Sequence, residues 1–224
     1  MISEDGFPKV KICCIASIEE AQIAIEAGAT AIGLVGHMPS GPGVISDEKI
    51  AEITAQTPAH IDTFLLTSET KVARIVQHHK RVKTNTIQLV DTLEDRVYSD
   101  LRAALKKVKV VQVIHILDEN SIQEAMSIAP QVDALLLDSG NPNLATKELG
   151  GTGKTHNWDI SQQIVEQVDT PVYLAGGLKA ENVQAAIKKV KSYGLDLCSG
   201  VRTNGKLDEG KLAAFMDQVR QVFA

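Results

Sequence analysis

The stretch LLLDSGNPNLATKELGGTGKT, Leu135–Thr155, decides how the chain is read. Leu135, Leu136 and Leu137 form a buried strand that delivers Asp138 at its carboxyl end. A loop then leads to Gly150-Gly151-Thr152-Gly153. Two shorter segments repeat the logic, VYLAGG (Val172–Gly177) and LDLCSG (Leu195–Gly200). Three successive apolar strands ending in glycine at one depth describe a mouth lined with backbone N–H groups, which is a phosphate site in an α/β protein. The string GGTGKT is not a nucleotide P-loop. That pattern needs a glycine five residues before Gly153, where Glu148 stands, and the loop Gly140–Leu149 separates the strand from the glycines.

Outward from this stretch the same unit repeats. Strands are predicted over Lys9–Cys14, Thr30–Val35, Ile61–Leu66, Thr86–Leu89, Val108–Ile114, Val132–Leu137, Pro171–Leu174 and Leu195–Leu197. Helices are predicted between them: from Ser17 to Ala27, Ser46 to Gln56, Ser68 to Lys80, Leu93 to Lys107, Asn120 to Ile128, Trp158 to Val168 and Ala180 to Val190, with a last one over Asp208–Phe223. Ser17-Ile18-Glu19-Glu20 is a capping-box pattern. Continuous apolar strands alternating with helices call for a buried parallel sheet. A single (β/α)8 TIM barrel over residues 1–224 fits better than an open sheet, because the phosphate-type glycines fall after strands seven and eight, where such barrels hold phosphate.

Composition agrees with a globular chain: 44% of the 224 residues are hydrophobic and 23% are charged. The net charge of −5 argues against nucleic acid or an acidic membrane surface as a partner. No apolar run has transmembrane length, and MISEDGFPKV lacks the regions of a signal peptide. Three cysteines, two of them adjacent, do not make a disulfide framework, so a cytoplasmic location is expected.

Residues at the carboxyl ends of barrel strands face the active site. Alternation along strand one turns Lys11 and Cys13 inward and Val10, Ile12 and Cys14 toward the helices. An inward lysine favours a thiolate two residues along, a base or nucleophile. The plain alternative is that Cys13 is a small core residue. Asp138 likewise has two readings, a functional carboxylate or a structural one that caps the following turn or pairs with Lys11 or Lys147. Asp196 on strand eight adjoins strand one, which makes it a candidate ion-pair partner of Lys11. Cys13, Cys14 and Cys198 are not expected to bind a metal, since Cys14 points away and no histidine is near in sequence. His78-His79, beside Lys80 and Arg81, reads as a solvated helix face, while His37, His115 and His156 sit nearer the mouth in structural or substrate-orienting roles.

These residues resemble the phosphoribosylanthranilate isomerase family of tryptophan biosynthesis. KICC is similar to the family's K-I-C-G, which implies a general base at Cys13, and LLLDS to its L-L-D, which implies a general acid at Asp138. GGTGKTHNW, LAGGL with ENV, and LDLCSGV resemble its GGTG-K-x-F-x-W, LAGGL-x-x-x-NV and VD-x-SSGVE, segments that bind the phosphate. The resemblance implies an Amadori rearrangement of a phosphorylated sugar-amine, without metal or cofactor, by an acid and a base on opposite sides of the substrate. With the strand-end readings it gives Lys11, Gly151, Gly176, Gly177, Asp196, Ser199, Gly200 and Arg202 as substrate- or phosphate-binding candidates, and a homo-oligomer is compatible with it.

The front half departs from the family in three places. Pro39-Ser40-Gly41-Pro42-Gly43 stands where the family has K-S-P-R, whose arginine holds the anthranilate carboxylate, so Gly43 falls at the arginine. Gln88-Leu89-Val90-Asp91 stands for Q-L-H-G, with Val90 at the histidine, and DTFLLTSE replaces V-G-V-F-V-N. Arg202, after the last strand glycine, is the residue expected to supply the missing guanidinium, with Arg96 on a helix surface as the lesser candidate. Two rivals remain: a related isomerase acting on another phosphorylated aminosugar, and a catalytically silent barrel that senses a phosphorylated metabolite.

Overall fold

Strands buried on both faces leave the chain no open sheet edge, and it closes the sheet on itself. In the computed structural model, which describes residues 6–93 and 98–224, eight parallel strands form a closed barrel in chain order. They are β1 (Lys9–Ile12), β2 (Ala31–Val35), β3 (Asp62–Thr67), β4 (Thr86–Leu89), β5 (Lys109–His115), β6 (Ala134–Asp138), β7 (Val172–Leu174) and β8 (Gly194–Leu197). Each is followed by a helix: α1 (Ile18–Glu26), α2 (Asp47–Gln56), α3 (Val72–Val82), α4 (Tyr98–Ala104), α5 (Asn120–Ile128), α6 (Trp158–Gln167), α7 (Val183–Val190) and α8 (Glu209–Gln221). The single (β/α)8 barrel expected from the repeat is the observed fold. The start of the fourth helix and Arg96 lie outside the described residues. Among the described residues no helix is long and apolar enough to cross a membrane.

Alternation sorts the side chains into two layers. Val35, Phe64, Leu66, Val113, Leu136 and Tyr173 fill the barrel, while Ile32, Leu34, Leu65, Leu135 and Leu137 pack under the helices. Asp138 continues the inward set of Leu136, so the end of β6 aims a carboxyl at the mouth.

β1 and β8 meet in register, with Lys11 opposite Asp196. The lysine is fully buried, and its Nζ lies 2.8 Å from Asp196 Oδ1 and 5.1 Å from the Phe64 ring centroid. Burial alone disfavours the ammonium, but the Asp196 carboxylate more than offsets this and raises its pKa. The ion pair expected at this seam is therefore present.

One helix-face reading is corrected. His78 shares the α3 face of Ile75 and Val82, three and four residues away, and is buried. Its ring nitrogens meet Thr67 Oγ1 at 3.1 Å and Asp47 Oδ1 at 3.0 Å, which ties α3 to β3 and α2. A small element was also missed. Arg202–Thr203 and Lys206–Leu207 form a hairpin, β9 and β10, around Asn204-Gly205, both at positive φ. An Asn-Gly pair is the strongest short hairpin signal a sequence carries.

Removing one partner of a buried ion pair leaves the other charge uncompensated, which costs roughly 3–5 kcal/mol. Lys11→Met should lower the free energy of unfolding by about that much, measured by urea titration. The double variant Lys11→Met/Asp196→Leu should recover most of it. A loss of under about 1 kcal/mol for Lys11→Met would show that the seam does not depend on the pair.

Candidate active site

The carboxyl ends of the strands surround a cavity whose lining includes Cys13, Cys14, Gln88, Asp138, Gly151, Gly176, Gly177, Asp196, Cys198 and Ser199. Asp138 is buried, and burial raises its pKa above the ordinary carboxylate range, with the Ser139 N–H opposing the shift. Its alternative role as an ion-pair partner is removed by the geometry: Lys11 is taken by Asp196, and Lys147 pairs with Asp91 at the rim. A raised pKa favours the protonated form of a carboxyl, the form that can give a proton. Gln88 Oε1 is buried at the cavity without a hydrogen-bond partner. At the neighbouring strand end His115 bonds the Val90 carbonyl through Nε2 at 3.0 Å, which leaves Nδ1 a bare acceptor.

Cys13 faces the cavity as alternation predicts. Cys14 does as well, against the expectation that it points to the helices. The strand ends at Ile12, and Cys14 adopts left-handed backbone at φ 63°, which breaks the alternation and swings its side chain inward. Its Sγ lies 2.6 Å from Cys198 Sγ, and all three cysteines are free. Hydrogen bonding to the Cys13 and Cys198 sulfurs, with burial, pushes the Cys14 thiol up. Contact with Cys14, helped by Arg202, pulls Cys198 down. A Cβ on Gly43 would stand 2.5 Å from Cys14 Cβ, and Gly43 has φ 81°. No side chain fits there while Cys14 occupies the space, so the two departures from the family pattern fit one another.

The glycine segments converge as the sequence implied. Gly177, at φ 62°, packs so closely on the loop 153–155 that an added Cβ would lie 2.7 Å from the Lys154 carbonyl carbon. Ser139 Oγ and Thr152 Oγ1, 2.7 Å apart, tie that loop to the end of β6. Gly176, Gly177 and Ser199 line one end of the cavity as a cradle of small residues. Behind this cradle His156 bonds Ser161 Oγ through Nε2 at 2.7 Å, and its Nδ1 is buried without a partner. Burial pushes its pKa down to about 4.

Three of the expected binding residues stand elsewhere. Lys11 lies beneath the cavity, behind Asp196. Gly200 sits in the short turn 199–201 against the Leu178 carbonyl, outside the cavity lining. Arg202 does not reach the mouth as a substitute guanidinium. Its Nη1 donates to Glu20 Oε1 and Gly205 O, each at 3.0 Å, and its Nη2 donates to the carbonyls of Cys13 at 3.2 Å and Cys14 at 2.6 Å. Burial disfavours its charge, but Glu20 holds it cationic. Arg202 is a clamp on the Cys13-Cys14 corner. Ser17 caps α1 by accepting the Glu20 N–H, as the capping-box pattern predicts, and the Glu20 carboxylate also accepts the N–H groups of Ala16 and Leu207, which knots the corner to the hairpin.

Fold and site together define a TIM barrel whose mouth brings three glycine segments, a buried carboxyl and a thiol pair to one cavity. The family model described as N-(5'phosphoribosyl)anthranilate (PRA) isomerase matches residues 10–218, and the chain belongs to that family, whose members are isomerases. It is 32% identical over 232 residues to N-(5'-phosphoribosyl)anthranilate isomerase of Methanosarcina acetivorans, covering 96% of this chain and 94% of that one. The solved phosphoribosyl anthranilate isomerase from Thermotoga maritima superposes with a TM-score of 0.81 at 26% identity, over 96% of this chain and 99% of that one. A phosphoribosyl anthranilate isomerase in complex with reduced 1-(o-carboxyphenylamino)-1-deoxyribulose 5-phosphate shares the fold, with a TM-score of 0.78 at 23% identity and the same coverage.

His156 sets a pH dependence. Its folded-state pKa of about 4 lies below the unfolded value of about 6.5. Between these limits the unfolded chain binds the extra proton, so stability is full above about pH 6.5 and falls as pH drops toward 4, by roughly 3 kcal/mol at the end of the window. Urea unfolding across this range should show a pH slope shallower by up to about one proton in His156→Gln. Equal slopes in variant and wild type would contradict the buried neutral imidazole.

Proposed function

We propose that the chain catalyses the Amadori rearrangement of N-(5'-phosphoribosyl)anthranilate to the 1-(o-carboxyphenylamino)-1-deoxyribulose 5-phosphate. The observation that carries this reading is a buried carboxyl with a raised pKa, Asp138, lining one cavity with Cys13 and with the small residues Gly176, Gly177 and Ser199. Gly176, Gly177 and Ser199 hold the phosphate. Asp138 gives its proton to the ribose ring oxygen, the C1–O bond breaks, and the nitrogen lone pair completes a Schiff base. The Cys13 thiolate then takes the C2 proton, the electrons flow into the imine, and the enolamine becomes the aminoketose. The substrate nitrogen is the electron sink, so the steps call on no metal or cofactor. The reaction assigns the chain to tryptophan biosynthesis in the cytoplasm, with a small phosphorylated substrate rather than nucleic acid as its partner, and a homo-oligomer is compatible with it.

A second reading, an isomerase for another phosphorylated aminosugar, draws on the other end of the cavity. There Val35, Met38, Leu66, Val90 and Leu149 line the wall, and no lysine or arginine among the described residues does. An anthranilate carboxylate would find no guanidinium at Gly43, and the first reading therefore carries a raised KM for the anthranilate substrate.

Steady-state fluorescence kinetics on that substrate tests the assignment. Cys13→Ser and Asp138→Asn should each lower kcat by on the order of 10²-fold or more, with product-analogue binding by calorimetry nearly unchanged. Turnover within a few-fold of wild type in either variant would remove that residue from the mechanism.

A further inference from the structure

The proposed rearrangement uses one thiol, yet two more stand beside it. Cys14 and Cys198, at the carboxyl ends of β1 and β8, have their sulfurs 2.6 Å apart, and both side chains line the cavity. Neither position is free to drift. Arg202 Nη2 holds the Cys14 carbonyl at 2.6 Å, Gly43 packs against Cys14 Cβ, and the Lys11–Asp196 register fixes the two strands. In the family motifs these positions are the glycine of K-I-C-G and the first serine of SSGVE, so the thiol pair belongs to this chain rather than to the shared chemistry.

We propose that Cys14 and Cys198 are a reversible oxidation site at which hydrogen peroxide, entering the cavity, closes a disulfide across the β1–β8 seam and slows the enzyme. Cys198 is the attacking thiol, because its contact with Cys14 and the charge of Arg202 pull its pKa down. Its sulfur forms an S–O bond as the peroxide O–O bond breaks; sulfur is oxidised, one oxygen leaves as hydroxide, and a sulfenic acid results. The Cys14 sulfur then attacks that sulfur, the S–S bond forms, the S–O bond breaks, and the departing hydroxide takes the Cys14 proton as water. Two thiols and one peroxide become one disulfide and two waters. The sulfurs need approach by only about half an ångström to reach bonding distance. Oxidation replaces the thiols of Cys14 and Cys198, which line the cavity with Cys13, by a disulfide, and its effect on turnover rests on the function proposed above.

The test treats reduced protein with hydrogen peroxide, caps remaining thiols with N-ethylmaleimide and maps tryptic peptides without reduction. The proposal expects peptide 12–49 joined to peptide 192–202, released by dithiothreitol. The link should form in wild type and Cys13→Ser and be absent in Cys14→Ser and Cys198→Ser. A link that survives in Cys14→Ser, three cysteines that all remain alkylatable, or sulfinic acids without a link would overturn it. Linked wild type should turn over at least about tenfold more slowly and recover with dithiothreitol; undiminished turnover would overturn the regulatory half. Because the link is read by mass, its absence counts against this site alone, and a link in a protein without isomerase activity counts against the proposed reaction alone.

Discussion

A lysine buried to zero exposure beneath the mouth of a barrel must have its charge neutralised, and Asp196 does so across the β1–β8 seam at 2.8 Å. The attraction is strong because the surroundings exclude water, and for the same reason either charge alone would be costly there. The pair fixes the register in which the last strand closes on the first. From that register follow the positions of Cys13 at the end of β1 and of Cys198 and Ser199 beyond β8. The thiol proposed as base and the serine proposed to hold phosphate are thus set by one electrostatic contact below them.

Above the seam the chain turns a corner rather than continuing as strand. Arg202 grips the carbonyls of Cys13 and Cys14 while Glu20 holds Arg202, so hydrogen bonds join the amino end of α1, the hairpin β9–β10 and the Cys13-Cys14 corner. The left-handed turn at Cys14 places a sulfur where a glycine would leave room, and Gly43 on the facing loop supplies that room. A change at either position alone meets the other. The glycine segments keep the family's pattern, while Cys14 and Gly43 depart from it as a matched pair.

Much of this was legible in the residues, for identifiable reasons. Thr86–Leu89 was read to the residue because a short β-prone run between turns has one period to offer. Asp138 and the glycine segments were legible because strand alternation and close backbone approach are local properties. Cys14 was misread because alternation holds only while the backbone is extended, and the chain leaves that region at φ 63°. Arg202 was misread because its partners, Glu20 and two carbonyls, come from the far end of the sequence and meet it only when the barrel closes. The Asn204-Gly205 turn carried a local signal for the hairpin beside it. His78 looked exposed among charged neighbours, although its spacing from Ile75 and Val82 put it on the buried face.

The claim at the centre of this account is that the barrel isomerises a phosphoribosyl aryl-amine with the thiol of Cys13. Growth without tryptophan of a strain lacking its own phosphoribosylanthranilate isomerase tests it in one measurement. The account predicts that the wild-type chain restores growth and that Cys13→Ser, present at the same protein level, does not. Failure of the folded wild-type protein to restore growth, or equal rescue by Cys13→Ser, would contradict it.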